Sequence, residues 1–315
     1  MNKSPIYMCI DSYCPLCPYK KVRSTDNCGA LNFLRDVPIQ SIVIHCFITD
    51  IPNCLEALSI LGCVESLEVK LTNKSNSPSL EELLKNTKFP ITAYSVKSQQ
   101  GIFPSLKNLI LDSSNLTHVN LRGRFRLLEL LGANLESLEF RGLCPTGLFS
   151  ILGSLCSKLK RLRVDKVMSL VDLQSYENSN LEALELIRAN FVLHSQLPFP
   201  KLKSLTYTPS MRCEESQIEG LVFAVPITLI NISLEIPSEM VNSCICAISK
   251  KLKIVEKITI LSSFGQGFID ASSLAILGNN CISLKSFEIT SMKSVNSITF
   301  EPLAFKTLGN IIFIN

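Results

Sequence analysis

Apolar residues along the chain fall into a six-residue pattern, apolar-x-x-apolar-x-apolar, that returns at intervals. Clear copies are Leu106-Lys-Asn-Leu-Ile-Leu111, Leu135-Glu-Ser-Leu-Glu-Phe140, Leu159-Lys-Arg-Leu-Arg-Val164, Leu181-Glu-Ala-Leu-Glu-Leu186, Leu202-Lys-Ser-Leu-Thr-Tyr207 and Leu284-Lys-Ser-Phe-Glu-Ile289. Weaker copies run from Ile39 to Ile44, Val64 to Val69, Leu229 to Leu234, Val255 to Ile260 and Leu308 to Phe313. From Leu106 the starts are separated by 29, 24, 22, 21, 27, 26, 29 and 24 residues (135 − 106, 159 − 135 and so on). The last four residues of each hexad alternate, so each copy predicts a short strand with one buried face. Leu106 to Leu116 and Leu181 to Phe191 place a further apolar residue five after the sixth position, where the chain turns back. Helical spacing comes next in Leu80-Glu-Glu-Leu-Leu, Phe125-Arg-Leu-Leu-Glu-Leu-Leu, Leu148-Phe-Ser-Ile-Leu-Gly-Ser-Leu, Met240 to Ile248 and Leu274-Ala-Ile-Leu. One strand and one helix cannot bury an apolar side alone, whereas stacked units share a continuous core. The expected fold class is therefore α/β, a curved solenoid with parallel strands on the concave face and helices on the convex face.

Composition narrows the picture without changing it. The chain has 315 residues, 46% hydrophobic and 18% charged, which excludes bulk disorder. The balance of 31 basic against 27 acidic residues gives +4, spread over the chain, so nucleic acid is not an expected partner. No signal-like apolar stretch comes after Met1, and the longest uncharged run, Gly220 to Leu234, contains Pro226 and Asn231 and falls short of a bilayer span. The 13 cysteines are odd in number and mostly scattered singly through apolar segments, a pattern of reduced, buried thiols. These features predict an intracellular chain, cytoplasmic or else nuclear, with no membrane contact. The tripeptides at Asn73, Asn115 and Asn231 that match the glycosylation pattern carry little weight there.

The hexads and their steps make the chain resemble a leucine-rich-repeat protein over residues 39–315, with 1–38 as a Cys/Pro-rich N-terminal cap or extension. It is similar to the cysteine-containing repeat subclass, which carries a Cys at the end of the convex helix, two residues, then the next strand. Leu155-Cys156-Ser-Lys-Leu159 and Asn280-Cys281-Ile-Ser-Leu284 fit, and Leu61-Gly-Cys63-Val-Glu-Ser-Leu67 is a looser variant. The units starting near 181, 202 and 229 lack this Cys. Such repeats occur in F-box proteins, the substrate receptors of cullin-type ubiquitin ligases. The resemblance thus implies a non-enzymatic protein-interaction module, a substrate receptor or scaffold acting through its concave face, with cullin-ligase components among its partners. No F-box-like helical segment precedes Ile39, so only the receptor half is represented. The alternative is a fragment or structural subunit of a larger leucine-rich-repeat assembly. In keeping with that alternative, the closing strand Leu308-Gly-Asn-Ile311-Ile-Phe313-Ile-Asn315 has no cap after it, which predicts an open apolar edge.

Repeat register puts Ser137, Glu139, Arg141, Arg161, Arg163, Asp165, Glu185 and Ile187 on the outward strand face, as candidate binding residues. Arg161 and Arg163 sit among Glu139, Asp165 and Glu185, which reads as a solvated face with cross-strand ion pairs in preference to an anion site. Arg122-Gly-Arg124-Phe-Arg126 opens a convex helix instead. The sharpest local motif is Cys9-Ile-Asp-Ser-Tyr-Cys14-Pro-Leu-Cys17, with Cys28 beyond it. Cys-Pro-x-Cys is the form of a zinc knuckle, and Cys9, Cys14, Cys17 and Cys28 would make a thiolate set. The competing reading is a proline-braced coil whose thiols pack against the first repeats. The three histidines, His45, His118 and His194, are dispersed, Gly265-Gln-Gly267 is no phosphate loop, and Cys244-Ile-Cys246 falls in an apolar helix. No nucleophile, base and oxyanion donor assemble, so catalysis is not expected, nor any cofactor beyond that zinc.

Overall fold

The structure, a computed structural model, describes residues 6–9, 41–47, 64–72, 106–112, 128, 131–142, 148–166, 171–173, 176, 180–192, 196–210, 214–262, 269–291 and 310–314. The chain divides into two compact units, Met1–Asp165 and Lys166–Asn315. Both are α/β, built on parallel strands with few helices.

In the first unit the strands are β1 (Ile6–Cys9), β2 (Ser41–Phe47), β3 (Ser66–Thr72), β4 (Asn108–Asp112), β5 (Ser137–Arg141) and β6 (Arg161–Asp165). Each pairs in parallel with the next in chain order. The register matches the hexads, since Leu67, Leu109, Leu138 and Leu162 stand side by side at the fourth position. All four are at most 1% exposed. The strand β1 falls inside the 1–38 segment, so the sheet reaches ahead of the first hexad. Helix α1 (Leu148–Leu155) lies between β5 and β6 and buries Phe149 and Leu152.

The second unit repeats the scheme with a short β7 (Val171–Asp172), β8 (Ala183–Ala189), a short β9 (Phe191–Val192), β10 (Ser204–Pro209), β11 (Asn231–Ile236), β12 (Lys257–Ser262), β13 (Ser286–Ser291) and β14 (Asn310–Ile314). The order β8-β10-β11-β12-β13-β14 is parallel throughout, with Leu184, Leu205, Ile232, Ile258, Phe287 and Ile311 in one register row. Its helices are α2 (Glu215–Ala224), α3 (Val241–Lys251) and α4 (Ala271–Asn280).

Helices occupy the longer connections of the second unit. The hexads at 202, 229, 255 and 284 are 27, 26 and 29 residues apart, and α2, α3 and α4 occupy those gaps. The steps from 159 to 181 and from 181 to 202 are shorter, at 22 and 21 residues. Among the described residues of those gaps β7 pairs with β9, and buried rings pack there and against β10. Tyr176 meets Phe199 edge-on at 5.3 Å, and Phe191 meets Tyr207 at 4.9 Å. Residues 167–170, 174–175, 177–179 and 193–195 of those gaps lie outside the described residues. Helix α2 escaped the helix reading because its apolar set, Ile218, Leu221 and Val222, runs into the uncharged stretch ending at Leu234. The structure splits that stretch into helix, turn and strand. A reciprocal cap starts α2, with Gln217 Oε1 accepting from the Glu214 N–H at 3.2 Å and the Glu214 side chain accepting from the Gln217 backbone.

Strand entry obeys one rule. The carbonyl at the second hexad position accepts from two successive N–H groups of the next unit, as Glu65 O does from Lys107 (2.9 Å) and Asn108 (3.0 Å). Lys107 O, Glu136 O, Glu182 O, Lys203 O, Ile230 O and Glu256 O repeat the arrangement. A left-handed backbone recurs at the eighth position, with Gly142 at φ 91°, Lys166 at φ 55° and Arg188 at φ 51°. Only glycine adopts it without cost. Among the described residues no helix is long and apolar enough to cross a membrane.

Candidate functional site

The outward sheet face of the first unit is set by strand alternation. Leu138 and Phe140 of β5, and Leu162 and Val164 of β6, point inward and are buried, so the residues between them point out. Ser137, Glu139, Arg141 and Asp165 are half-buried on that face, while Arg161 and Arg163 are exposed.

Arg141 is the hub. Its Nε donates to Glu139 Oε1 at 2.8 Å and its NH1 donates to Glu68 Oε1 at 3.1 Å, spanning β4 to reach β3. Arg163 Nε lies 3.3 Å from the same Glu139 oxygen. The Glu139 hydrogen bond raises the guanidinium pKa further, with Glu68 and Asp112 adding to the effect. Two arginines and two glutamates thus neutralise one another across β3, β5 and β6. The cross-strand ion-pair reading of this face holds. Glu68 and Asp112 belong to the site and were not singled out in the sequence. Glu68 is the fifth residue of the weak hexad starting at Val64, and Asp112 is the seventh of the hexad at Leu106. Register extended to every copy finds both.

Glu185 and Ile187 are half-buried on β8 of the second unit. The face there differs in chemistry, because its register rows carry Thr206, Ser233 and Thr259 at the fifth position and Ser204, Asn231 and Ser286 at the third. One ion pair, Lys257 to Glu288 at 3.8 Å, crosses it. This hydroxyl-rich surface was not anticipated.

A second set of charged pairs stands at strand entry, where the described residues at position two are Glu or Lys apart from Ile230. Lys160 Nζ donates to Glu136 at 2.8 Å in the first unit. Lys203 donates to Glu182 at 3.0 Å and Lys285 lies 2.8 Å from Glu256 in the second. The Lys160 hydrogen bond, with its charge, holds the Glu136 carboxyl below its usual pKa. These pairs are exposed, so solvent screens them and they add little to stability.

The repeat cysteines are structural. Cys156 and Cys281 are buried, and burial pushes their thiols up to about 12 and about 11. Cys281 Sγ donates to Leu252 O at 3.3 Å, the carbonyl at the same place in the preceding unit. Cys244 is also buried, and Cys246 approaches Ser273 Oγ at 3.8 Å, in line with core packing of α3. Thiolate chemistry is suppressed at Cys156 and Cys281.

For the zinc expectation, Cys9 ends β1, while Cys14, Cys17 and Cys28 lie outside the described residues. Among the described residues no group of three or more His, Cys, Asp or Glu is placed to hold a metal ion. His45 belongs to β2; His118, His194, Arg122 to Arg126 and Gly265 to Gly267 lie outside the described residues. No protein-family model matches the chain, and no curated protein matches it.

Proposed function

We propose that the protein is a leucine-rich-repeat interaction module, a curved solenoid with strands on its concave face and helices on its convex face. It acts without catalysis in the cytoplasm, as a substrate-recognition or scaffold protein of F-box/LRR type. The observation that carries the reading is the register. Hexads stack residue for residue, so positions three, five and seven of successive strands form one outward face in each unit. Extended faces of this kind bind partners through a few central side chains. Among the described residues Arg161 and Arg163 are the exposed charges on the first unit's face and are the expected contacts. Affinity capture with the full chain tests this. Recovery of cullin-ligase adaptor components, reduced by Arg161→Glu/Arg163→Glu, is the expected result. Capture of a defined partner without adaptor components would remove the ligase assignment and keep the module. Partner capture indifferent to the double charge reversal would move the contact elsewhere.

A further inference from the structure

We propose that the strand-entry edge of the second unit is a docking edge for an anionic membrane surface. This inference is independent of the sheet-face reading, because the edge and the face are different surfaces. At this edge each helix ends and the next strand begins. The turns that join them present Ile227, Ile254 and Ile282, which are 64%, 45% and 67% exposed, and Phe223 near the end of α2 is 47% exposed. Isolated exposed apolar residues are ordinary, but one on each of three successive turns is a pattern. Leu229, Val255 and Leu284 begin the hexads behind them, and the paired strands β11, β12 and β13 set the turns about 5 Å apart. The isoleucines therefore form a row at turn tips.

Charge selects the occupant. Among the described residues the carboxylates at this edge, Glu182 and Glu256, pair with Lys203 and Lys285. Lys201 and Lys253 donate, among the described residues, to neutral oxygens, Asn180 Oδ1 at 2.9 Å and Ser249 O at 2.8 Å. Lys250 and Lys251 occupy the last turn of α3 at the same edge. The helix dipole accommodates them there, and they add to the positive field. Glu214, Glu215, Glu239 and Asp270 stand at the helix N-terminal ends, on the opposite edge. Lys166 and Arg188 are exposed at that opposite edge too. The balance of described charges is nonetheless acidic there and basic at the strand-entry edge, where the apolar tips stand. Apolar tips entering a headgroup layer, flanked by lysines, is the combination that holds a protein on anionic lipid. A fluid surface accepts such points without the matched groove that an acidic protein partner would need. The expectation of no membrane contact considered only spanning segments, and among the described residues no helix is a span.

Flotation of the full chain with vesicles tests the edge. The probes are phosphatidylcholine alone and phosphatidylcholine with about 30 mol% phosphatidylserine, at about 0.1 M salt. Binding to the anionic vesicles should exceed binding to the neutral ones by about tenfold or more, and should fall as salt rises. Ile227→Ser/Ile254→Ser/Ile282→Ser should reduce it by about tenfold or more. Lys250→Gln/Lys251→Gln should also weaken it and flatten the salt dependence. A thermal melt of each variant checks folding, and if the serine variant melts early the lysine variant decides. No binding by the parent, or anionic binding that neither folded variant changes, overturns the proposal. So does binding of a soluble acidic amphipathic peptide without vesicle binding, which would assign the edge to a protein.

Discussion

At residue scale, tight approach and burial decide what each position tolerates. Gly132 occupies the place in its unit that Cys156 holds in the next, and a Cβ there would meet Cys156 Sγ at 2.9 Å and Leu155 O at 3.0 Å. A flexible side chain yields to such contact, but a backbone carbonyl does not. Gly132→Ala should therefore cost about 1–3 kcal/mol in denaturant unfolding. In the Cys156→Ala background the same change should cost less, because one of the two clashes is gone. A double-mutant cycle with no coupling would show that the thiol and Gly132 do not touch. Glu136 carries a second prediction. Its titration midpoint by carboxyl NMR should lie below the usual glutamate value, and Lys160→Gln should move it back up.

At the scale of elements, the hexad sets the strand, and the longer gaps of the second unit carry α2, α3 and α4. Positions one, four and six are inward in every described copy, and Leu159, Leu162 and Val164 show the set at no more than 1% exposure. Leu162→Ala should lose about 2–5 kcal/mol, since its neighbours Leu138 and the helix behind cannot close the cavity. An unchanged unfolding midpoint would place Leu162 outside the core. Arg141→Met, by contrast, should cost about 1 kcal/mol or less despite touching two carboxylates, because the network is half-exposed and Glu139 keeps Arg163. A loss of several kcal/mol would mean the hub is structural in its own right.

For the whole molecule, the buried repeat cysteines link stability to pH. Their folded thiols titrate at about 12 and about 11, whereas an unfolded thiol titrates near 8.5. Above that lower value the unfolded chain loses protons that the folded chain keeps, so the unfolded state is favoured as pH rises. Stability should be full below about pH 8.5 and decline towards pH 11. The Cys156→Ala/Cys281→Ala variant should start from a lower plateau and decline less over that window. A native thiol-labelling experiment is the companion measurement, in which both cysteines should react only on unfolding.

The sequence alone determined the repeat, because alternation and spacing are local properties that each hexad carries in full. Leu138, Leu162, Leu184 and Leu205 were readable as buried, and Glu139 with Arg163 as a cross-strand pair, since register is fixed once the hexads are aligned. The tertiary structure decided what depends on neighbours in space. It showed that Arg141 spans β4 to Glu68, two strands and 73 residues away, a contact that no spacing rule specifies. It set the rings of Tyr176 and Phe199, and of Phe191 and Tyr207, edge-on in contact, because partners in the layer are set by the stack. It brought Ile227, Ile254 and Ile282 into one row. Each looks like an ordinary apolar residue in its own segment, and only the parallel pairing of β11, β12 and β13 makes them adjacent and outward.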